Sequence, residues 1–260
     1  MGVHVVALVE LAGTIERVTL ALASALGTLA YEERLKLGTG LPAVVLMTPD
    51  AGRAAALVEA LAAHGQPALT CALSDVVAAS DMVSLKRFAF ERDALVASDG
   101  GERLPWGEVA ALVRATDRRR VESATVVAEK KFDLARTVIT GGLVRSRTNK
   151  REVTTRAYEA EPVLYLFAGS GATPWLLREQ GTHYEGLGDR LSSTAAPNFL
   201  ATVAELRARA AQARYDERLV TRRSPVEARP AAGGKLTSPH DLDLLAYLVA
   251  QSLVRLGTTA

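Results

Sequence analysis

The sequence predicts an α+β fold. Over the first 75 residues short apolar runs alternate with stretches of helical period. From residue 82 the apolar period changes to two, and an amphipathic stretch near the C-terminus follows a segment rich in Arg, Pro, Ala and Gly. The expected organisation is an N-terminal βααβαβ module over residues 1–78, an antiparallel, barrel-like domain over 79–221 closed by a helix, a linker over 222–236 and a C-terminal docking helix over 237–257.

His4-Val5-Val6-Ala7-Leu8-Val9 is almost continuously apolar, as a buried strand must be. Thr14 is placed as the N-cap of a helix whose Ile15, Val18, Leu22 and Leu26 recur at spacings of three and four. Gly27-Thr28 interrupts it, and Tyr31 to Leu37 forms a second helix ending near Gly38. Ala43 to Met47 reads as a strand, Thr48-Pro49-Asp50 opens a third helix with Ala54, Leu57, Val58 and Leu61 on one stripe, and Pro67 to Ala72 is the third strand.

This order, with Glu32-Glu33-Arg34 on the second helix and Pro42 ahead of the second strand, resembles the C-terminal domain of the bacterial ribosomal stalk protein. The ClpS-like adaptor fold is similar in architecture. The resemblance spans the module alone and implies a small protein-binding fold rather than a catalyst.

Beyond residue 82, Val83 and Leu85 alternate and Phe88 and Phe90 resume in the opposite phase, the mark of a β-bulge. Two hairpins follow one plan. Ala94-Leu95-Val96 leads through Asp99-Gly100-Gly101 to Pro105-Trp106, and Val163 to Phe167 leads through Gly169-Ser170-Gly171 to Pro174-Trp175. Together they predict one strongly curved antiparallel sheet. Thr125 to Val127 and Val153 to Tyr158 supply further strands around a helical turn at Leu134 to Ile139, and a closing helix starts at Asn198 as N-cap with Phe199, Val203 and Leu206 on one face. Residues 82–214 so read resemble a pleckstrin-homology-like domain of the bacterial type. In the last helix Ser238 is the expected N-cap, and Leu242, Leu245, Val249, Leu253 and Leu256 form a candidate assembly face that meets either the chain itself or a second copy.

The chain has 260 residues, 48% hydrophobic and 23% charged, which excludes a wholly disordered chain. Arginine outnumbers lysine 25 to 6, the codon signature of a GC-rich bacterial genome. Glu10, Glu16 and Arg17 interrupt the first apolar run, and no stretch reaches membrane-span length, so a cytoplasmic protein without a membrane span is expected. The net charge of +2 hides a segregation: residues 1–113 sum to −5 and residues 114–156 to +7. Arg118, Arg119, Arg120, Arg145, Arg147, Lys150 and Arg151 are the candidate anion-binding residues, with nucleic acid or acidic lipid as the matching partners.

No catalytic, cofactor or metal site is expected. The single cysteine, Cys71, lies in a predicted strand and suits a core position. His4, His64, His183 and His240 form no metal-ligand spacing, and Gly169-Ser170-Gly171, Gly186-Leu187-Gly188 and Gly233-Gly234-Lys235 match no phosphate loop. Trp106 and Trp175 suit core packing better than a ligand platform. The expected function is therefore non-catalytic binding or regulation through protein–protein contacts and self-association. Its alternatives are anion binding by residues 114–156, or an enzyme whose site is assembled from residues distant in sequence.

Overall fold

Strand β1 (His4–Leu8) lies between β2 (Ala43–Thr48) and β3 (Leu69–Ala72), antiparallel to both. Its near-continuous apolar run follows from burial on both faces. Val6 and Leu8 pack among Val18, Leu22, Leu57 and Leu61, whereas Val5 and Ala7 pack with Leu69, Val76, Leu244 and Leu248. Helix α1 (Ile15–Leu26) is capped by Thr14, whose hydroxyl accepts the Arg17 N–H, and it ends at Gly27 with φ 69°. After α2 (Ala30–Leu37) comes α3 (Ala51–Ala63), where Asp50 accepts the Arg53 N–H.

This is a computed structural model; it describes residues 2–99, 101–131, 147–169, 171–222, 238 and 241–258, with the backbone alone at 119–131, 147–158 and 256–258. The predicted helical turn at 134–139 and most of the predicted linker lie outside the described residues. The chain divides into two compact units, residues 1–117 with 161–260, and residues 118–160.

Residues 83–219 hold two open sheets, and no closed barrel is seen among the described residues. One, antiparallel, comprises β5 (Phe88–Phe90), β6 (Ala94–Ala97) and β7 (Arg103–Pro105). The other contains β4 (Val83–Ser84), β8 (Val109–Lys131), β9 (Arg147–Ala168), β10 (Trp175–Arg178) and β11 (Arg214–Leu219) in the order β11-β8-β9-β10-β4. This larger sheet is mixed: β11 pairs with β8, and β10 with β4, in parallel. The expected bulge near residue 85 is instead a change of sheet, because Val83-Ser84 and Phe88-Phe90 pair with different partners. The two Pro-Trp hairpins likewise belong to different sheets.

The mixed sheet is covered on both sides. Leu112, Leu164, Leu166 and Leu177 face a core shared with Phe199, Val203 and Leu206 of α4 (Ala195–Arg209). The alternate residues Val113, Val163, Tyr165 and Leu176 face Leu245, Ala246 and Val249 of α5 (Leu242–Thr258). Asn198 is not the cap expected of it. It lies inside α4, buried, and reaches back so that its Oδ1 accepts the Ser192 N–H at 2.6 Å and its Nδ2 donates to the Ser192 carbonyl. Helix α5 begins at Leu242, and Asp241 Oδ1 accepts the Asp243 N–H at 2.9 Å in its first turn. Arg222, predicted to open the linker, is buried and donates to the Pro42 carbonyl and to Thr39 Oγ.

The docking helix meets the chain itself. Leu244 and Leu248 pack on the β1 side, and Leu245 and Val249 on the mixed sheet, with Leu242 and Leu253 partly buried beside them. The face predicted to assemble with a second copy is therefore covered in this chain, since each buried Leu or Val gains about 1.5–3 kcal/mol by leaving water. The Leu256 side chain lies outside the described residues.

Candidate functional site

The candidate anion-binding residues fall on two neighbouring strands. Arg118, Arg119 and Arg120 occupy consecutive positions of β8, and Arg147, Lys150 and Arg151 lie on β9, its hydrogen-bonded neighbour. Arg145 lies outside the described residues. Residues 118–131 carry five basic and two acidic residues, and residues 147–160 carry four and two. These two segments thus hold a net +5, against −3 for the rest of the chain.

Within the first unit, neighbouring portions of the same sheet are tied together by side chains. On β10, Arg178 Nη1 donates to Asp117 Oδ2 at 2.9 Å and to Glu161 Oε2 at 3.0 Å, joining three adjacent strands through one guanidinium. Burial works against the Arg178 charge, but the two carboxylates outweigh it and raise its pKa further. Sequence reading missed this clamp because its three members lie on separate strands and share no spacing pattern.

A second feature arises in the N-terminal helices. Glu33 is fully buried and accepts from Lys36 Nζ at 2.7 Å and from Thr28 Oγ, while Lys36 also donates to the Val45 carbonyl of β2. This network fixes the inward side of α2 to the sheet. Tyr31 and Leu35, one turn apart, are left 69% and 58% exposed, and Leu20 on α1 and Leu29 before α2 are exposed similarly. A signal existed in the sequence: Leu20 falls outside the stripe of Val18 and Leu22.

The depressions of this surface pair few reactive groups. One of about 750 Å³ between α1 and the end of α3 is lined by Arg17, Leu20, Ser24, His64 and Gln66 among others, without a carboxylate. The His64 ring sits 2.8 Å from the Ala60 carbonyl, in the last turn of α3. Another, of about 500 Å³, is bounded by Gly38, Thr39, Gly40, Leu41, Arg218, Thr221 and Arg222. Its Arg218 is bound to Asp216 and donates to the Val9 carbonyl. No group of three or more His, Cys, Asp or Glu suited to a metal ion occurs among the described residues.

Cys71 lies on β3, and burial, with Asp75 nearby, pushes its thiol up to about 11. His4 lies on β1, the backbone of His183 forms a β-bridge with that of Arg87, and His240 is outside the described residues. Ser170 and Gly233-Gly234-Lys235 are also outside them. Gly186 is packed against Phe88, where an added Cβ would lie 2.5 Å from the Phe88 carbonyl oxygen. Trp106 and Trp175 are buried in a single core. No helix among the described residues is long and apolar enough to cross a membrane. Comparison with protein-family models, with curated proteins and with solved structures finds no match.

Proposed function

We propose that the chain is a non-catalytic binding protein of the bacterial cytoplasm and that it recognises polyanions through residues 118–131 and 147–160. The observation that carries this reading is the concentration of nine basic against four acidic residues on two neighbouring strands of one compact unit. Phosphate and sulfate groups reward such a density of cations by releasing counterions. Arginine, six of the nine, adds a planar fork of donors. Chromatography on immobilised heparin tests it. Retention that is lost between low and moderate salt, and weakened by neutralising Arg118, Arg119 and Arg120, is expected. Passage without retention at low salt, or retention indifferent to ionic strength, refutes it.

A second reading, docking of another protein, is supported by the exposed Leu20, Leu29, Tyr31 and Leu35. It accords with the resemblance of the N-terminal module to small protein-binding folds. A photo-crosslinking residue in place of Tyr31 is expected to give discrete heavier adducts in cells, and the same residue in place of the exposed Arg53 on α3 is not. Adduct patterns alike at the two positions count against this reading.

A further inference from the structure

The strands that carry the charge also have a shape. Strands β8 and β9 are hydrogen-bonded neighbours, and their 118–131 and 147–160 portions, which belong to one compact unit, each extend for roughly 45 Å at the usual rise of a strand. Two strands about 4.8 Å apart make a narrow ribbon, and a two-stranded ribbon is one of the elements that the major groove of B-form DNA, about 12 Å wide, admits.

Three observations favour a duplex over other polyanions. Basic residues occur at both odd and even positions of each strand, Arg118 beside Arg119 and Lys150 beside Arg151, and consecutive strand positions belong to opposite faces. A flat anionic surface such as a bilayer meets one face of a ribbon, whereas a groove carries phosphates along both walls. Tyr158 is the single aromatic residue of these two strand portions, which gives the bases of a single strand almost nothing to stack on. The strands are otherwise rich in Ala, Thr, Ser and Val, small enough to let a ribbon enter a groove. The deep, narrow major groove of an A-form RNA duplex does not admit it.

We infer that the β8–β9 ribbon binds double-stranded DNA, through the phosphates flanking a groove and without strong sequence preference. The inference rests on the polyanion reading above and narrows it to one ligand class.

Fluorescence anisotropy on the full chain tests both and separates them. The probes are a DNA duplex of about thirty base pairs, a DNA single strand and an RNA duplex of the same length, heparin, and phosphatidylserine vesicles, each measured between low and moderate salt. The duplex DNA is expected to bind at least about tenfold more tightly than the single strand, the RNA duplex or the vesicles. A net charge of five on the ribbon corresponds to a log–log salt slope of about −4 to −5, a loss on the order of 500-fold for a fourfold rise in salt. Replacing Arg147→Gln, Lys150→Gln and Arg151→Gln together should make that slope shallower by about 3. Replacing Arg118→Gln, Arg119→Gln and Arg120→Gln on the other strand gives an independent measurement, and Arg53→Gln on α3 should leave the slope unchanged. Circular dichroism establishes that each variant is folded. Binding to heparin with no preference for duplex DNA overturns this inference and leaves the polyanion reading standing. Absence of binding to every probe at low salt overturns both.

Discussion

The Tyr165 hydroxyl donates to Asp243 Oδ1 at 2.8 Å, and the other oxygen of the same carboxylate accepts the Ala79 N–H at 2.7 Å. One side chain in the first turn of α5 therefore fastens the helix to β9 and to the segment ahead of β4. Burial first, and then Asp243, raises the Tyr165 pKa well above its ordinary value, so the phenol keeps its proton and remains a donor. Tyr165→Phe removes one hydrogen bond and should cost about 1–1.5 kcal/mol; Asp243→Ala strands a buried phenol and a backbone N–H and should cost about 2–4 kcal/mol. Urea unfolding of both variants and their combination closes the cycle. Strict additivity would mean that the two side chains do not work as a pair.

Asp241 gives a pH-dependent expectation. Burial, with Asp243 and Asp117 nearby, holds its carboxyl above the usual aspartate value. Between the unfolded and the raised folded value the native state carries the extra proton, so this group's contribution to stability falls as pH rises through that window. Asp241→Asn keeps an acceptor for the helix cap and has no proton to lose. The variant should be more stable than the parent at pH 7, with the advantage vanishing near pH 3, as read from urea midpoints at the two values. A variant less stable at neutral pH would show that the backbone bonds to the carboxylate dominate.

The seating of α5 is measured by truncating its side chains. Leu245 is 1% exposed and Leu253 is only partly buried. Leu245→Ala should cost about 2–5 kcal/mol, and Leu253→Ala less than half of that, in thermal or urea unfolding. Equal losses would mean that the helix does not face the mixed sheet as described.

Cys71 should react slowly. With the thiol pushed up to about 11, alkylation near neutral pH is expected to run about a hundredfold slower than for an unperturbed cysteine and to accelerate with alkali. Rapid labelling at pH 7 would contradict the half-buried, acid-flanked setting given to this residue.

Several local signals in the sequence hold in the structure. Thr14 and Asp50 cap their helices where their spacing to the first apolar turn places them, and the run from Val5 to Leu8 is buried on both faces. Non-local choices were hidden. A phase change at Leu85 looks the same whether a strand bulges or the chain leaves for another sheet, because both shift the alternation by one residue. Strand β11, Arg214-Tyr215-Asp216-Glu217-Arg218-Leu219, has no apolar alternation; it is held by backbone pairing to β8 at the margin of the sheet. Asn198 misled because its side chain bonds backwards to Ser192 rather than to its own helix. Of the candidate site, the charge was legible and its placement on two adjacent strands was not, since pairing joins residues separated by a long intervening segment.

The packing of Leu244 and Leu248 against Val5 and Ala7 brings together positions some 240 residues apart. During synthesis this face of the first strand therefore stays only partly covered, by Leu69 and Val76, until the last helix emerges, and a nascent chain holding only the first half carries an exposed greasy patch. Contacts of such separation also slow spontaneous refolding, because the entropy of closing the long loop is spent before any of its reward arrives.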